Sequence, residues 1–213
     1  MEPTARKKKI LLYVMIGLIV GFLLITAFVV LLPTTFIDIK FSEEIQEHRN
    51  PLLDTIMKAI SWPGTVPASP IIVFVTALLF YLFRYKKEAL FVLLTLLSGL
   101  LSTIIKWLVN RPRPSDTLVI IMGKSSQQSF PSGHVLFYVI FFGFITVLMF
   151  ELKSIAKPLR LSIAAVCIFL IFSIPASRIY LGAHWFTDVL GGFILGIPCL
   201  YLLGYQYIKR TRV

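Results

Sequence analysis

Apolar positions along this chain gather into long runs separated by short polar stretches. A helix that crosses a bilayer needs about 20 mostly apolar residues. Six stretches reach that length: 10–32, 66–83, 89–109, 135–152, 159–176 and 189–208. The pattern predicts an all-α, polytopic membrane protein, a bundle of six transmembrane helices forming a single domain over residues 1–213. Pro67 and Pro70 blur the start of the second run. The first run has a basic flank like a signal peptide, but it reaches "PTTFID" without a small-residue cleavage pattern and reads as a retained helix.

Two of the polar intervals are long. The first, 33–65, holds "FSEEIQEHR" and then "NPLLDTIMKAISW". Asn50 before Pro51 reads as an N-cap followed by proline at the first helical position. Leu52, Leu53, Ile56, Met57 and Ile60 share one face while Asp54 and Lys58 take another. This predicts a short amphipathic helix, lying on the membrane surface or docked onto the bundle. Gly17-x-x-x-Gly21 and Gly192-x-x-x-Gly196 predict close helix packing, within the bundle as the commoner reason or in a dimer contact as the alternative.

Composition agrees with a membrane protein. Hydrophobic residues make up 57% and charged ones 15%, against about 45–50% and about 25% in ordinary globular chains. The net charge of +11 comes from clusters at segment ends: 6–9, 84–87, Lys153, Lys157 and Arg160, then 209–212. With six spans these clusters share one side, which then holds 13 of the 21 lysines and arginines but, counting Glu2, Glu88 and Glu151, only 3 of the 10 acids. The positive-inside rule makes that side the cytoplasm and places both termini there. No basic face or stripe exists, so nucleic acid is excluded as a partner. Cys167 and Cys199 lie within apolar runs and read as small hydrophobes. Trp62, Trp107 and Trp185 all fall near the outer interface in this topology, as an aromatic belt would.

The chemistry lies in the outer polar stretches. "KWLVNRPRPSDTLVIIMGKSSQQSFPSGH" links the third and fourth runs, and "SRIYLGAHWFTD" lies between the fifth and sixth. Two of the three histidines, His134 and His184, are in these stretches. Lys106, Arg113 and Arg178 are fixed cations suited to phosphate oxygens. Ser132 and Gly133 precede a helix, whose N-terminus, with their N–H groups and the serine hydroxyl, suits an anion. His184 and Asp188 are four residues apart, neighbours on one face if the sixth helix begins there. An aspartate bonded to one imidazole nitrogen fixes the tautomer and leaves the other nucleophilic. His134 remains as general acid. His48 reads as a surface residue, and Asp116 and Lys124 as solvated loop charges.

These residues resemble the signature of the type-2 phosphatidic acid phosphatase family of integral membrane lipid phosphatases. Its three parts, K-x6-R-P, P-S-G-H and S-R-x5-H-x3-D, stand here as "KWLVNRPRP", "PSGH" and "SRIYLGAHWFTD". The spacing selects Arg113 and leaves Arg111 as a neighbour. The resemblance implies a metal-independent hydrolase with no cofactor. In it His184 attacks phosphorus to give a phosphohistidine, Asp188 orients it, and His134 protonates the leaving group. Lys106, Arg113, Ser132, Gly133 and Arg178 then bind the phosphoryl oxygens. It also implies a lipid phosphate substrate at the extracytoplasmic face of a plasma membrane: undecaprenyl diphosphate, phosphatidylglycerophosphate or phosphatidic acid. The competing readings are a transporter, disfavoured by sparse charge within the runs, and a catalytically silent lipid-binding relative, disfavoured by intact motifs. The related vanadium haloperoxidases share such a site, but the membrane layout disfavours that activity.

Overall fold

In the computed structural model the long apolar runs are helical over most of their length, because a backbone polar group in hydrocarbon must be satisfied within its own segment. The structure describes residues 5–123 and 127–210; Glu2, Lys124 and Arg212 of the charge reading lie outside these. Among the described residues the elements are α1 (Ala5–Leu31), α2 (Phe36–Gln46), α3 (Pro51–Ser61), α4 (Ala68–Leu82), α5 (Lys86–Leu94), α6 (Leu97–Val109), α7 (Gly133–Glu151), α8 (Lys157–Tyr180) and α9 (Phe186–Lys209). Five spans are long and apolar enough to cross a membrane, α5 and α6 counting together as one. The sixth exists only as a bent pair. Residues Pro51–Gly64 and Ala68–Leu82 meet at 60°, and α4 alone has 15 residues, or about 22 Å at the usual rise.

The amphipathic helix is present as α3. The Asn50 side chain accepts from Leu53 N–H at 2.9 Å, with Pro51 opening the helix. It docks on α8, where Ser177 Oγ donates to the Met57 carbonyl at 2.7 Å and Tyr180 donates to Asp54 at 2.6 Å. Leu52 and Ile56 remain exposed. The helix α2, in the stretch "FSEEIQEHR", was not foreseen. Thr35 caps it by accepting from Asp38 N–H, and Gln46 anchors its far end to Ile120 and to the Tyr180 carbonyl. The third apolar run also departs from expectation. It breaks at Thr95–Leu96, where the chain tightens into i→i+3 hydrogen bonds between α5 and α6.

Helix α7 is the axis of the bundle. Of its apolar window 72% is buried, against 11–39% for the other spans, and it packs chiefly on α8 and α9. The glycine motifs divide. A Cβ on Gly196 would lie 2.7 Å from two Val139 side-chain atoms, and one on Gly192 would lie 2.7 Å from the Ser132 carbonyl oxygen. Gly17 and Gly21 face nothing within 4 Å, so the expectation of bundle packing fails for that pair. Trp62 and Trp107 are exposed as an aromatic belt requires, whereas Trp185 is 1% exposed and belongs to the core.

Gly192 tests this packing, because its neighbour is backbone and cannot swing aside. Gly192→Ala is expected to cost about 1–3 kcal/mol through overpacking, while Gly17→Ala leaves stability unchanged or slightly higher. Thermal unfolding in detergent checks the pair; equal midpoints would mean that α7 and α9 are not in close contact.

Candidate active site

Helix α6 ends where α7 and α9 begin, so the polar segments between them meet at one end of the bundle. Asn110 terminates α6 in the left-handed region, φ 48°, and turns the chain into "RPRP". Gly182, at φ 64°, closes the turn after α8; a Cβ there would strike the Ile120 carbonyl oxygen at 2.3 Å. These turns bring His184, Lys106, Arg113, Arg178 and His134 into one electrostatic neighbourhood.

His184 is 1% exposed. Its Nδ1 lies 3.4 Å from Asp188 Oδ2 and 3.5 Å from Ser129 Oγ, and its Nε2 lies 3.5 Å from Arg113 Nη1. One ring nitrogen thus faces a carboxylate and the other faces cations. His184 precedes α9 rather than sitting on it, so the approach to Asp188 comes from the N-terminal turn and not from a helical face. Burial, with Arg113, Lys106 and Arg178 close by, holds His184 well below the usual histidine range. The imidazole is therefore neutral at pH 7. Asp188 is anchored on both oxygens. Its Oδ2 accepts from Trp185 N–H at 2.9 Å and, in a short bond, from Ser129 Oγ, while Oδ1 accepts from Arg111 at 2.5 Å.

The cations behave in two ways. Lys106, 4% exposed, does not snorkel; its Nζ donates to the carbonyls of Gln128 at 2.5 Å and Ser129 at 3.1 Å. Arg113 donates to the carbonyls of Gln127 at 2.7 Å and Ala183 at 2.6 Å, and Arg178 donates to Ser61 Oγ at 2.5 Å. Among the described residues none of these three forms an ion pair. Arg111 is different: it pairs with both Asp38 and Asp188.

Several polar atoms here are sealed from solvent with no partner: Ser132 Oγ, His134 Nε2, Arg178 Nε and Ser102 Oγ. Ser132 caps α7 without a side-chain bond. Its N–H is already committed to the Asp188 carbonyl at 3.0 Å, which removes it from the expected anion cradle and leaves its hydroxyl and the start of α7 at Gly133. The His134 ring packs against Gly64, where a Cβ would lie 2.6 Å from the ring. Sequence reasoning missed Ser129, Arg111, Asp38, Thr187, Ser61 and Gly64. Only "RPRP" and the aspartate in "FIDIK" offered a signal, each a charge beside apolar sequence.

Among the described residues no three His, Cys, Asp or Glu side chains gather to hold a metal. A surface groove lined by Glu43, Glu44, Glu47 and Asp116, with Lys40 as its one basic residue, is net acidic and disfavours phosphate. The motif end instead combines unpaired cations, a neutral histidine on a carboxylate and unsatisfied donors, which suits a phosphoryl group.

Comparison with known proteins shows the family. Residues 87–212 match the PAP2 superfamily. Over 175 residues, 77% of this chain and 81% of the relative, the sequence is 34% identical to phosphatidylglycerophosphatase B of Bacillus subtilis (strain 168). It is 30% identical to lipid A 1-diphosphate synthase of Escherichia coli (strain K12) over 42% of this chain and 35% of that one. The fold resembles the crystal structure of the transmembrane PAP2-type phosphatidylglycerolphosphate phosphatase from Bacillus subtilis, with a TM-score of 0.78 and 24% identity over 92% of this chain and 97% of that one. It also resembles LpxE of Aquifex aeolicus, with a TM-score of 0.61 and 24% identity over 84% and 98%.

An unpartnered buried hydroxyl costs about 1–3 kcal/mol. Ser132→Ala is therefore expected to raise the stability of the ligand-free protein by roughly 1 kcal/mol, read as a higher unfolding midpoint. A lower midpoint would show that the hydroxyl has a structural partner.

Proposed function

The chain belongs to the PAP2 superfamily, and from that premise we propose that it is a membrane lipid phosphatase acting through a phosphohistidine. The observation that carries this reading is three cations without carboxylate partners around a neutral, carboxylate-backed histidine. Lys106, Arg113 and Arg178, with Ser132 Oγ and the Gly133 N–H, bind the phosphoryl oxygens. His184 Nε2 attacks phosphorus as the bond to the leaving oxygen breaks, and His134 gives that oxygen its proton. The bound phosphate dianion offsets the surrounding cations, which lets His134 carry that proton. Water then attacks the phosphohistidine, His134 takes the water's proton, and the P–N bond breaks to release inorganic phosphate. Asp188 holds the His184 Nδ1–H throughout and stabilises the ring as it becomes cationic.

The substrate is a lipid phosphate or diphosphate. The site lies at the end of the spans opposite the basic clusters, at headgroup level on the extracytoplasmic face of a plasma membrane, with both termini cytoplasmic. Recognition rests on the phosphoryl group, so more than one lipid serves: undecaprenyl diphosphate, phosphatidylglycerophosphate and phosphatidic acid. The similarity to phosphatidylglycerophosphatase B supports the second of these.

Phosphate release from these three lipids by purified protein tests the reaction. Activity is expected to persist in excess chelator, because fixed cations supply the charge. His184→Ala should abolish turnover and Asp188→Asn should lower kcat by about 10²–10⁴-fold; near-normal activity in His184→Ala would overturn the mechanism.

The pH profile gives a signed test. Attack requires unprotonated His184, and its lowered proton affinity keeps activity as pH falls to about 6.5, the ordinary histidine value. Removing a neighbouring cation makes protonation easier. Arg113→Gln is thus expected to move the acidic limb of kcat/KM to higher pH, the substrate's own ionisation being common to both proteins. An unmoved or lowered limb would contradict the assignment.

Orientation is tested by cysteine labelling without Cys167 and Cys199. Asp116→Cys should react with an impermeant thiol reagent outside intact cells and Lys86→Cys should not. The reverse pattern would put the site in the cytoplasm.

A further inference from the structure

Arg111 falls outside the K-x6-R-P spacing, yet it is among the most completely buried side chains in the protein. All three of its guanidinium nitrogens are engaged. Nε donates to the Pro33 carbonyl at 2.8 Å, Nη2 to Asp38 Oδ2 at 2.6 Å, and Nη1 to Thr187 Oγ1 at 2.7 Å and Asp188 Oδ1 at 2.5 Å. Asp38, fully buried on α2, uses both of its oxygens: Oδ1 accepts from the Thr187 N–H and hydroxyl, and Oδ2 accepts from Thr35 and Arg111. A surface helix is thereby joined through one guanidinium to the carboxylate that backs His184.

We propose that Arg111, held by Asp38, is a positioning residue that fixes the rotation of the Asp188 carboxylate and through it the orientation of His184. This rests on the reading of His184 and Asp188 as nucleophile and orienting group. Asp188 divides its oxygens. Oδ2 serves Ser129, Trp185 and His184, and Arg111 is the partner on Oδ1. Without that second anchor the carboxylate is free to turn, and the 3.4 Å approach to Nδ1 depends on its not turning. Only a planar fork reaches both aspartates at once; a lysine, as a point charge, holds one or the other. Geometry of this kind matters to rate, since a misplacement of about 1 Å can cost about 10²-fold.

The test uses the full-length protein in detergent. Asp38→Asn and Arg111→Lys are expected to lower kcat about 10–100-fold with KM changed less than about 3-fold. Thr187→Val, which removes only the hydroxyl bridging Arg111 and Asp38, should lower it about 3–10-fold. The Asp38→Asn/Arg111→Lys double variant should be no slower than the slower single one, because both break one linkage. Ring ¹⁵N spectra add a readout independent of substrate, and three histidines make them assignable. His184 should be the Nδ1–H tautomer in the parent protein and a mixture in the variants. Folded Asp38→Asn or Thr187→Val protein with parental kcat and tautomer, or losses that simply multiply, would overturn the proposal. Should Arg111→Lys fail to fold, Thr187→Val decides. If the parent protein releases phosphate from no lipid, the phosphatase reading fails, and an unchanged tautomer in the variants separately refutes the positioning role.

Discussion

One guanidinium between two carboxylates sets the terms for the rest of this site. Arg111, Asp38 and Asp188 have side chains entirely shielded from solvent. Burying each ion costs several kcal/mol unless its partners are well placed, and removing one partner of such a set costs about 3–5 kcal/mol. The segments that carry them must therefore arrive together. Helix α2 supplies Asp38, the "RPRP" loop supplies Arg111 and the start of α9 supplies Asp188. Apolar contact aligns α2 only in part: Phe41 stacks on Phe186 and Ile45 packs against the core, while Phe36 and Ile37 are exposed. Charge pairing adds to what apolar packing does here.

Arg111 is fully compensated, and the contrast with the other cations is informative. Lys106 and Arg113 are held by carbonyl oxygens and Arg178 by a serine hydroxyl, so their positions are fixed while their charge stays available. Such uncompensated charge is unfavourable by itself, and a bound anion would offset it. Ser132 Oγ, His134 Nε2 and Arg178 Nε follow the same logic, as donors or acceptors sealed in without a partner. A fold that leaves these groups without a protein partner in one place gives up stability there, as preorganised sites do.

The helices and the motif residues were legible because each leaves a local mark. Apolar runs of membrane length announce spans. Histidines and arginines at the ends of such runs are costly enough to draw notice. What escaped was long-range or subtractive. Asp38 and Arg111 are 73 residues apart, and nothing in "FIDIK" names its partner. Ser129 is one serine among several in "SSQQSFPSGH". The loss of the Ser132 N–H to the Asp188 carbonyl depends on how α7 and α9 cross, which no single segment encodes. The bend between α3 and α4 was hidden because hydropathy registers length and polarity but not direction. Trp185 misled for a related reason: a tryptophan at a span's end reads as interfacial whether it faces lipid or protein, and here its indole N–H meets the Pro112 carbonyl.

Helix α7 is enclosed by protein while the spans around it largely face outward. The peripheral helices need only remain greasy on their outer faces, so leucine, isoleucine, valine and phenylalanine are nearly interchangeable there. Along α7 each side chain must fit specific neighbours, and glycines on α9 leave no slack at Val135 and Val139. Substitutions that drift freely through the rest of the bundle will therefore be screened out along this one helix. His134, near its first turn, shares that immobility: its aim was settled when the core was packed.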